Sequence, residues 1–226
     1  MITAKTIEDL LKEAWEEFIK YFDKNNDKFS REFFDQRSKE LSEKEAKEEV
    51  EEFHWVCWNE SDLMMQLSRY FYSQREIRSV SDNKFLGIEV HLDKNLNYPN
   101  FKGYHFDGKL KKNGDLEKEL GRFPKLDLII TGEISLDPFL LCAEAKHFHS
   151  SVMYVTVDEA IEKDIKTLSV IKKLGITDAI AYIILDDYYC RHGRKDVEKI
   201  AHVCSKKFNI DNDLKIYYHG SRKKVQ

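Results

Sequence analysis

Leu126-Asp127-Leu128-Ile129-Ile130 and, shortly after it, Phe139-Leu140-Leu141-Cys142-Ala143-Glu144-Ala145-Lys146 decide how this chain folds. Each is a short apolar run, and the turn residues Thr131-Gly132 and Asp137-Pro138 lie between them. That pattern predicts two neighbouring strands, both too apolar for an exposed sheet face. Side chains alternate along a strand, so Cys142, Glu144 and Lys146 share one face and Leu141, Ala143 and Ala145 the other. On the first strand Asp127 and Ile129 oppose Leu126, Leu128 and Ile130. If both strands bury their aliphatic faces alike, Asp127, Glu144 and Lys146 converge on one side. Burying such groups unpaired costs several kcal/mol each, on the order of a lost ion partner, so something must stabilise them.

Working outward, the sequence alternates between helical and strand periods. Ile7, Leu10, Leu11, Ala14, Trp15, Phe18, Ile19 and Phe22 predict an amphipathic helix that Asn25-Asn26-Asp27 should stop. A second helical stretch carries Phe33, Phe34 and Leu41. Ser42 and Glu45 form a capping-box pattern ahead of Ala46, Val50 and Phe53. A third helix is expected from 59–61 through Leu63, Met64, Leu67, Tyr70 and Phe71, with the period changing after Arg75. Residues 85–92 read as a strand and 95–114 as a long loop or hairpin with a basic tip at Lys109, Lys111 and Lys112. Beyond the two apolar strands come a helix over 157–174 capped by Gly175, a buried strand over 179–185, a basic helix over 195–207 and a short strand over 214–218. The fold class is therefore α/β, a mixed central sheet flanked by helices. The expected division is an N-terminal helical region, 1–55, and a main domain, 56–226.

Composition bounds the function. The 226 residues are 42% hydrophobic and 12% aromatic, with 9 Gly and 3 Pro, which excludes disordered, collagen-like and low-complexity chains. No apolar run approaches a membrane span and no signal segment opens the chain, so the expectation is a cytoplasmic protein without membrane contact. Cys57, Cys142, Cys190 and Cys204 form neither a CxxC pair nor a disulfide framework and read as reduced thiols. Cys190, His192, His202 and Cys204 mimic a zinc set, but two residues apart on a helix His202 and Cys204 point different ways. His147 and His149 read as structural. No GxSxG, P-loop, GxGxxG or HExxH pattern is present. The net charge of −4 hides an asymmetry: residues 1–60 hold 10 Lys/Arg against 17 Asp/Glu, whereas residues 189–226 hold 10 against 4.

Two readings of the buried charges stand side by side. One is a structural ion pair at a strand end. The other is a divalent-metal site, in which two carboxylates and a strand carbonyl offer hard oxygen ligands beside an ammonium. The two stretches together resemble the bipartite signature of the PD-(D/E)XK nuclease superfamily, an Asp on one strand and Glu-x-Lys on the next, with Glu144 placed 17 positions after Asp127. Pro124 stands three positions before Asp127 rather than directly before it. The resemblance covers roughly residues 59–186 and implies a restriction-endonuclease-like core of order αβββαβ. It implies that Asp127, Glu144 and the Ala145 carbonyl bind Mg²⁺ or Mn²⁺, that Lys146 orients the attacking water, and that the product carries a 5′-phosphate. Glu60 matches a further acidic residue that many members carry on the first core helix; its alternative role is a carboxylate meeting the helix dipole. Lys163, Asp164 and Lys166 on the following helix are candidates set against a default reading as solvated positions.

The expected substrate is DNA, its backbone held by Lys109, Lys111, Lys112, Lys166, Arg191, Arg194, Lys195, Lys206, Lys207 and the Arg222-Lys223-Lys224 tail. The aromatics Tyr98, Phe101, Tyr104 and Phe106 could stack on bases or simply pack a loop. The alternative function is a catalytically inactive protein of the same fold, serving as a nucleic-acid-binding or assembly subunit. A third is a phosphate-ester or nucleotide hydrolase unrelated to DNA. The N-terminal helices are a candidate surface for a homodimer or another partner.

Overall fold

The computed structural model describes residues 3–52, 57, 59–81, 88–96, 100–101, 104–105, 110–132, 138–148, 156–192 and 195–220. The chain runs α1 (Ala4–Arg37), α2 (Glu43–Glu52), α3 (Glu60–Ser81), β1 (Ile88–Asn95), the two-residue strands β2 (Asn100–Phe101) and β3 (Tyr104–His105), α4 (Leu110–Leu120), β4 (Lys125–Gly132) and β5 (Leu141–Phe148). It continues through α5 (Val157–Lys173), β6 (Ile180–Asp186), the short α6 (Tyr189–His192), α7 (Val197–Lys207) and β7 (Leu214–Gly220). Five strands form one mixed sheet in the order β1-β4-β5-β6-β7. The β1–β4 and β4–β5 pairs are antiparallel, whereas β5–β6 and β6–β7 are parallel. Each parallel step needs a crossover, and α5 and α7 supply them.

Both sheet faces are covered, as the apolar strands require. Leu128, Ile130, Leu141, Ala143, Ala145 and Ile183 form one core with Leu10, Leu11, Phe18 and Phe22 of α1 and Leu63, Leu67 and Phe71 of α3. On the other face Ile129, Cys142, Tyr182 and Ile184 pack with Leu116 of α4, Ile161, Ile165 and Leu168 of α5, and Ala201 of α7. Each fully buried Leu or Ile contributes roughly 2 kcal/mol of apolar transfer, so two such cores give the sheet rigid walls. β6 is buried along its whole length. Helix α1 is thus part of a core, not an addition outside it. Tyr217 of β7 donates a 3.4 Å hydrogen bond to the Glu8 carbonyl, and the His219 ring lies 2.9 Å from Asp23.

Several boundaries differ from the sequence expectation. Asn25-Asn26-Asp27 does not stop α1, which runs on to Arg37. These residues are only mildly poor helix formers, and the Asn25 side chain bonds back to the Tyr21 carbonyl at 2.8 Å, inside the helix. Helix α3 likewise passes Arg75 to end at Ser81. The segment 95–114 is not simply a loop, because Lys111 and Lys112 lie in α4, which docks by the buried Leu116. The first strand runs Ile88–Asn95, past the expected end at 92, and 85–87 lie outside the described residues. Elsewhere local chemistry acts as expected. Ser42 and Glu45 form their reciprocal cap and Gly175 takes φ +62° behind α5; a cap the sequence reading did not name, Thr156 with Glu159, starts that helix. Among the described residues no helix is long and apolar enough to cross a membrane.

Candidate active site

Strands β4 and β5 pair only as far as Leu128↔Ala143. The next step would set Asp127 opposite Glu144, and there the ladder ends. The Asp127 carboxylate replaces the missing backbone partner, accepting the Ala145 N–H at 2.8 Å. A residue's N–H and C=O leave a strand on the same side, so the Ala145 carbonyl faces this opening too. Asp127, Glu144 and Lys146 do share one side of the sheet, that of Ile129 and Cys142.

Lys146 is the hub. Its ammonium lies 3.1 Å from Glu60 Oε1, 3.1 Å from Asp164 Oδ2 and 3.2 Å from the Ala145 carbonyl oxygen. Helices from opposite layers supply the two carboxylates: α3 packs on the α1 side of the sheet, α5 on the other. Asn59 places Glu60, since its side chain accepts the Asp62 N–H at 2.9 Å and starts α3 there. The Glu60 side chain is 39% exposed and that of Asp164 only 12%. Behind Asp164, the buried Tyr182 hydroxyl stands 3.5 Å from Oδ2. Tyr182 is the register partner of Glu144 on β6.

The electrostatics are lopsided. Four carboxyls, Glu60, Asp127, Glu144 and Asp164, surround one ammonium. Burial pushes the Glu144 carboxyl well above the ordinary carboxylate range, and the charges of Asp164 and Asp127 push it further. Burial also raises Asp164 and Glu60, with Lys146 pulling back on each. For Lys146 burial works against the charge, but Asp164, Glu60 and Asp127 outweigh it and hold the amine above its usual value. The Tyr182 phenol is raised well beyond its normal value by burial and by these same acids. Beside the cluster opens a cleft of about 50 Å³ lined by Glu60, Ser61, Met64, Leu92, Asp93 and Asp127.

The donor chemistry suits a hard divalent cation: carboxylate and carbonyl oxygens only, with like charges crowded together. As the side chains stand, no three His, Cys, Asp or Glu residues among those described are arranged around a common ion position. Glu60 and Asp164 are gathered on the Lys146 ammonium instead. The Ala145 carbonyl, expected as an ion ligand, accepts a hydrogen bond from Lys146.

Tyr182 and Asp93 were not expected, and Asp164 was a candidate read by default as solvated. Asp164 is buried, not solvated. The signal was present, because it falls on the same helical stripe as Ala160, Ile161, Ile165 and Leu168. Tyr182 sits in a run that reads as plain core. Asp93 lines the cleft and would be the register partner of Asp127 on β1, but the pairing skips it. Its φ of +55° is uncommon for Asp, and its carboxylate pairs with Lys125 at 2.9 Å.

The expected phosphate contacts are scattered. Lys166 is exposed on α5. Lys195 is already paired with Asp158 at 2.8 Å, and Lys207 with Glu162 at 2.6 Å. Lys109, Arg194, Arg222, Lys223, Lys224, Tyr98, Phe106 and His149 lie outside the described residues, as do the side chains of Lys111, Lys112, Arg191, Phe101 and Tyr104. His202 is exposed and Cys204 buried on α7, so that pair does point apart. Compared with protein-family models, with curated proteins and with solved structures, the chain matches none.

Proposed function

We propose that the chain is a metal-dependent nuclease of PD-(D/E)XK type that hydrolyses phosphodiester bonds, in DNA first of all, and leaves 5′-phosphate ends. The observation that carries this reading is the crowding of four carboxyl groups, two of them buried (Glu144 and Asp164), about the Lys146 ammonium at the point where β4 and β5 part. A purely structural ion pair needs one acid for one base. Here Lys146 meets Glu60 and Asp164 at 3.1 Å, and Asp127 and Glu144 add two more carboxyls that lean on each other. The run of elements from α3 through β1, β4, β5, α5 and β6 supports the restriction-endonuclease-like order, with β2, β3 and α4 inserted before β4.

In this reading Asp127, Glu144 and the Ala145 carbonyl hold Mg²⁺ or Mn²⁺, and Lys146 gives up its hydrogen bond to that carbonyl. Held there, the cation would supply charge neutralisation at the scissile phosphate and a lowered pKa for the attacking water. The chain's own groups do the rest. Asp127 keeps one oxygen on the Ala145 N–H, which fixes its orientation. Lys146, held charged by its carboxylate neighbours, directs N–H donors at the water or at a phosphate oxygen.

A specific observation favours a second reading, an inactive subunit that binds nucleic acid or assembles with a partner. Lys146 is already engaged three ways, and Lys195 and Lys207 are neutralised by acids. One experiment separates the two. Purified protein is incubated with supercoiled, linear, single-stranded and branched DNA and with RNA, in Mg²⁺, Mn²⁺ or EDTA, beside Asp127→Ala and Lys146→Ala. Metal-dependent cleavage lost in both variants is the expected result. Binding without cleavage supports the second reading, and cleavage surviving both substitutions comes from a contaminant.

A further inference from the structure

The two carboxylates on Lys146 are not equivalent. Glu60 reaches it from the first turn of α3, more than a third exposed, and also lines the cleft. Asp164 reaches it from the middle of α5, inside the buried stripe of that helix, and Tyr182 closes it from behind at 3.5 Å. Tyr182 is wholly buried, and a buried phenol needs a polar partner. It faces Asp164, across from Glu144 in the β5–β6 register. One helix and one central strand thus brace Asp164, whereas a single exposed helix turn holds Glu60. The charged groups that act on the Lys146 ammonium are Glu60 from α3, Asp127 from β4, Glu144 from β5 and Asp164 from α5, while the exposed Lys163 of α5 and the Tyr182 hydroxyl of β6 act on Asp164.

We infer that Asp164, backed by the Tyr182 hydroxyl, is a positioning residue that permanently holds the Lys146 amine, while Glu60 is the exchangeable partner that leaves Lys146 when the site fills. The inference deepens the nuclease reading and rests on it. A cation at Asp127 and Glu144 adds positive charge beside the ammonium. Lys146 then needs one anchor that does not join the ion, and Asp164 is placed for that by burial and by its second hydrogen-bond partner. Glu60, at the mouth of the cleft, can turn to the ion or to solvent at little cost.

The test uses the full chain as wild type, Asp164→Asn, Asp164→Glu and Tyr182→Phe. It measures cleavage kinetics with Mg²⁺, Mn²⁺ binding by electron paramagnetic resonance, and crystal structures grown with Mg²⁺. Asp164→Asn is expected to lower kcat by about 100-fold, the scale of a misplaced catalytic group, with KM and Mn²⁺ affinity within about twofold of wild type. Asp164→Glu should recover part of the loss, and Tyr182→Phe should lower kcat roughly fivefold, the scale of one lost hydrogen bond. A tenfold or larger loss of Mn²⁺ affinity in Asp164→Asn would make it an ion ligand and overturn the inference, as would unchanged kcat in both Asp164→Asn and Tyr182→Phe. If Asp164→Asn does not fold, Tyr182→Phe carries the same split between kcat and KM. A wild type that cuts nothing in either metal defeats the nuclease reading, while the crystals still decide the anchor. Lys146 remaining on Asp164 with Glu60 turned away sustains it, and Lys146 on Glu60 alone refutes it.

Discussion

Strand β5 buries two sets of charges on its two faces, and they are built on opposite principles. On the α1 side, His147 meets Asp187 at 3.0 Å, both side chains fully buried. On the α5 side, Lys146 meets Glu60 and Asp164 while Asp127 and Glu144 crowd in beside them. The first set matches one imidazole to one carboxylate in a closed core. The second has an excess of acid and borders a cleft. A buried polar group is tolerable when it is hydrogen-bonded, so the His147–Asp187 contact explains itself as structure. The unbalanced set needs a further positive charge or bound protons, and the proposed cation site rests on that requirement.

If the contrast is right, the largest effect falls on activity at the unbalanced set. Lys146→Ala or Asp127→Ala should lower metal-dependent cleavage by about 10³-fold, equivalent to roughly 4 kcal/mol of barrier. Plasmid relaxation at matched concentrations of folded protein checks this. His147→Ala should do the reverse: stability falls by about 3 kcal/mol because Asp187 is left buried without its imidazole, while cleavage per folded molecule is kept. Urea titration beside the plasmid assay would merge the two sets if both variants lost activity alike.

A smaller effect separates metal from proton. Burial and neighbouring acids raise the Glu144 carboxyl above its unfolded value. The stability linked to that proton is complete below the unfolded pKa and is lost as pH rises through the folded one. Metal-free wild type should therefore weaken across that rise, and Glu144→Gln, which cannot ionise, should be steadier by about 1–2 kcal/mol at neutral pH. In EDTA this amounts to a Tm higher by roughly 2–4 °C per kcal/mol in a chain of this size. The same variant should lose the Tm increase that Mn²⁺ gives wild type. A Glu144→Gln protein that is less stable in EDTA would break the argument from unbalanced acid. The smallest effect is expected at the surface. Lys195→Ala, removing a half-exposed partner of Asp158, should move stability by no more than about 0.5 kcal/mol and DNA affinity correspondingly little, read by fluorescence anisotropy.

Much of this site was legible from alternation alone. Two strands with charges at every second position must present them together, and Asp127, Glu144 and Lys146 do lie on one side. Asp164 was within reach as well, since a carboxylate inside a helical apolar stripe faces the core. What blocked that reading is that exposed Asp is the usual case, and a stripe residue shows its polarity before its partner. Glu60 beside Lys146 was suggested only by resemblance, because 86 positions separate them and nothing local joins the two. The length of α1 was obscured by Asn25-Asn26-Asp27, whose weak local preference yields to the helical hydrogen bonds on either side.

Local chemistry by itself determined the strands, the caps and the side of the sheet on which the charges fall, because backbone geometry imposes period 2 on strands and 3.6 on helices. Only tertiary structure decided which acids take the lysine, that α1 completes a core, and that the β4–β5 ladder stops at Leu128↔Ala143. Those outcomes depend on how separate elements approach one another, and that is set by packing two apolar cores against one sheet rather than by any short run of residues.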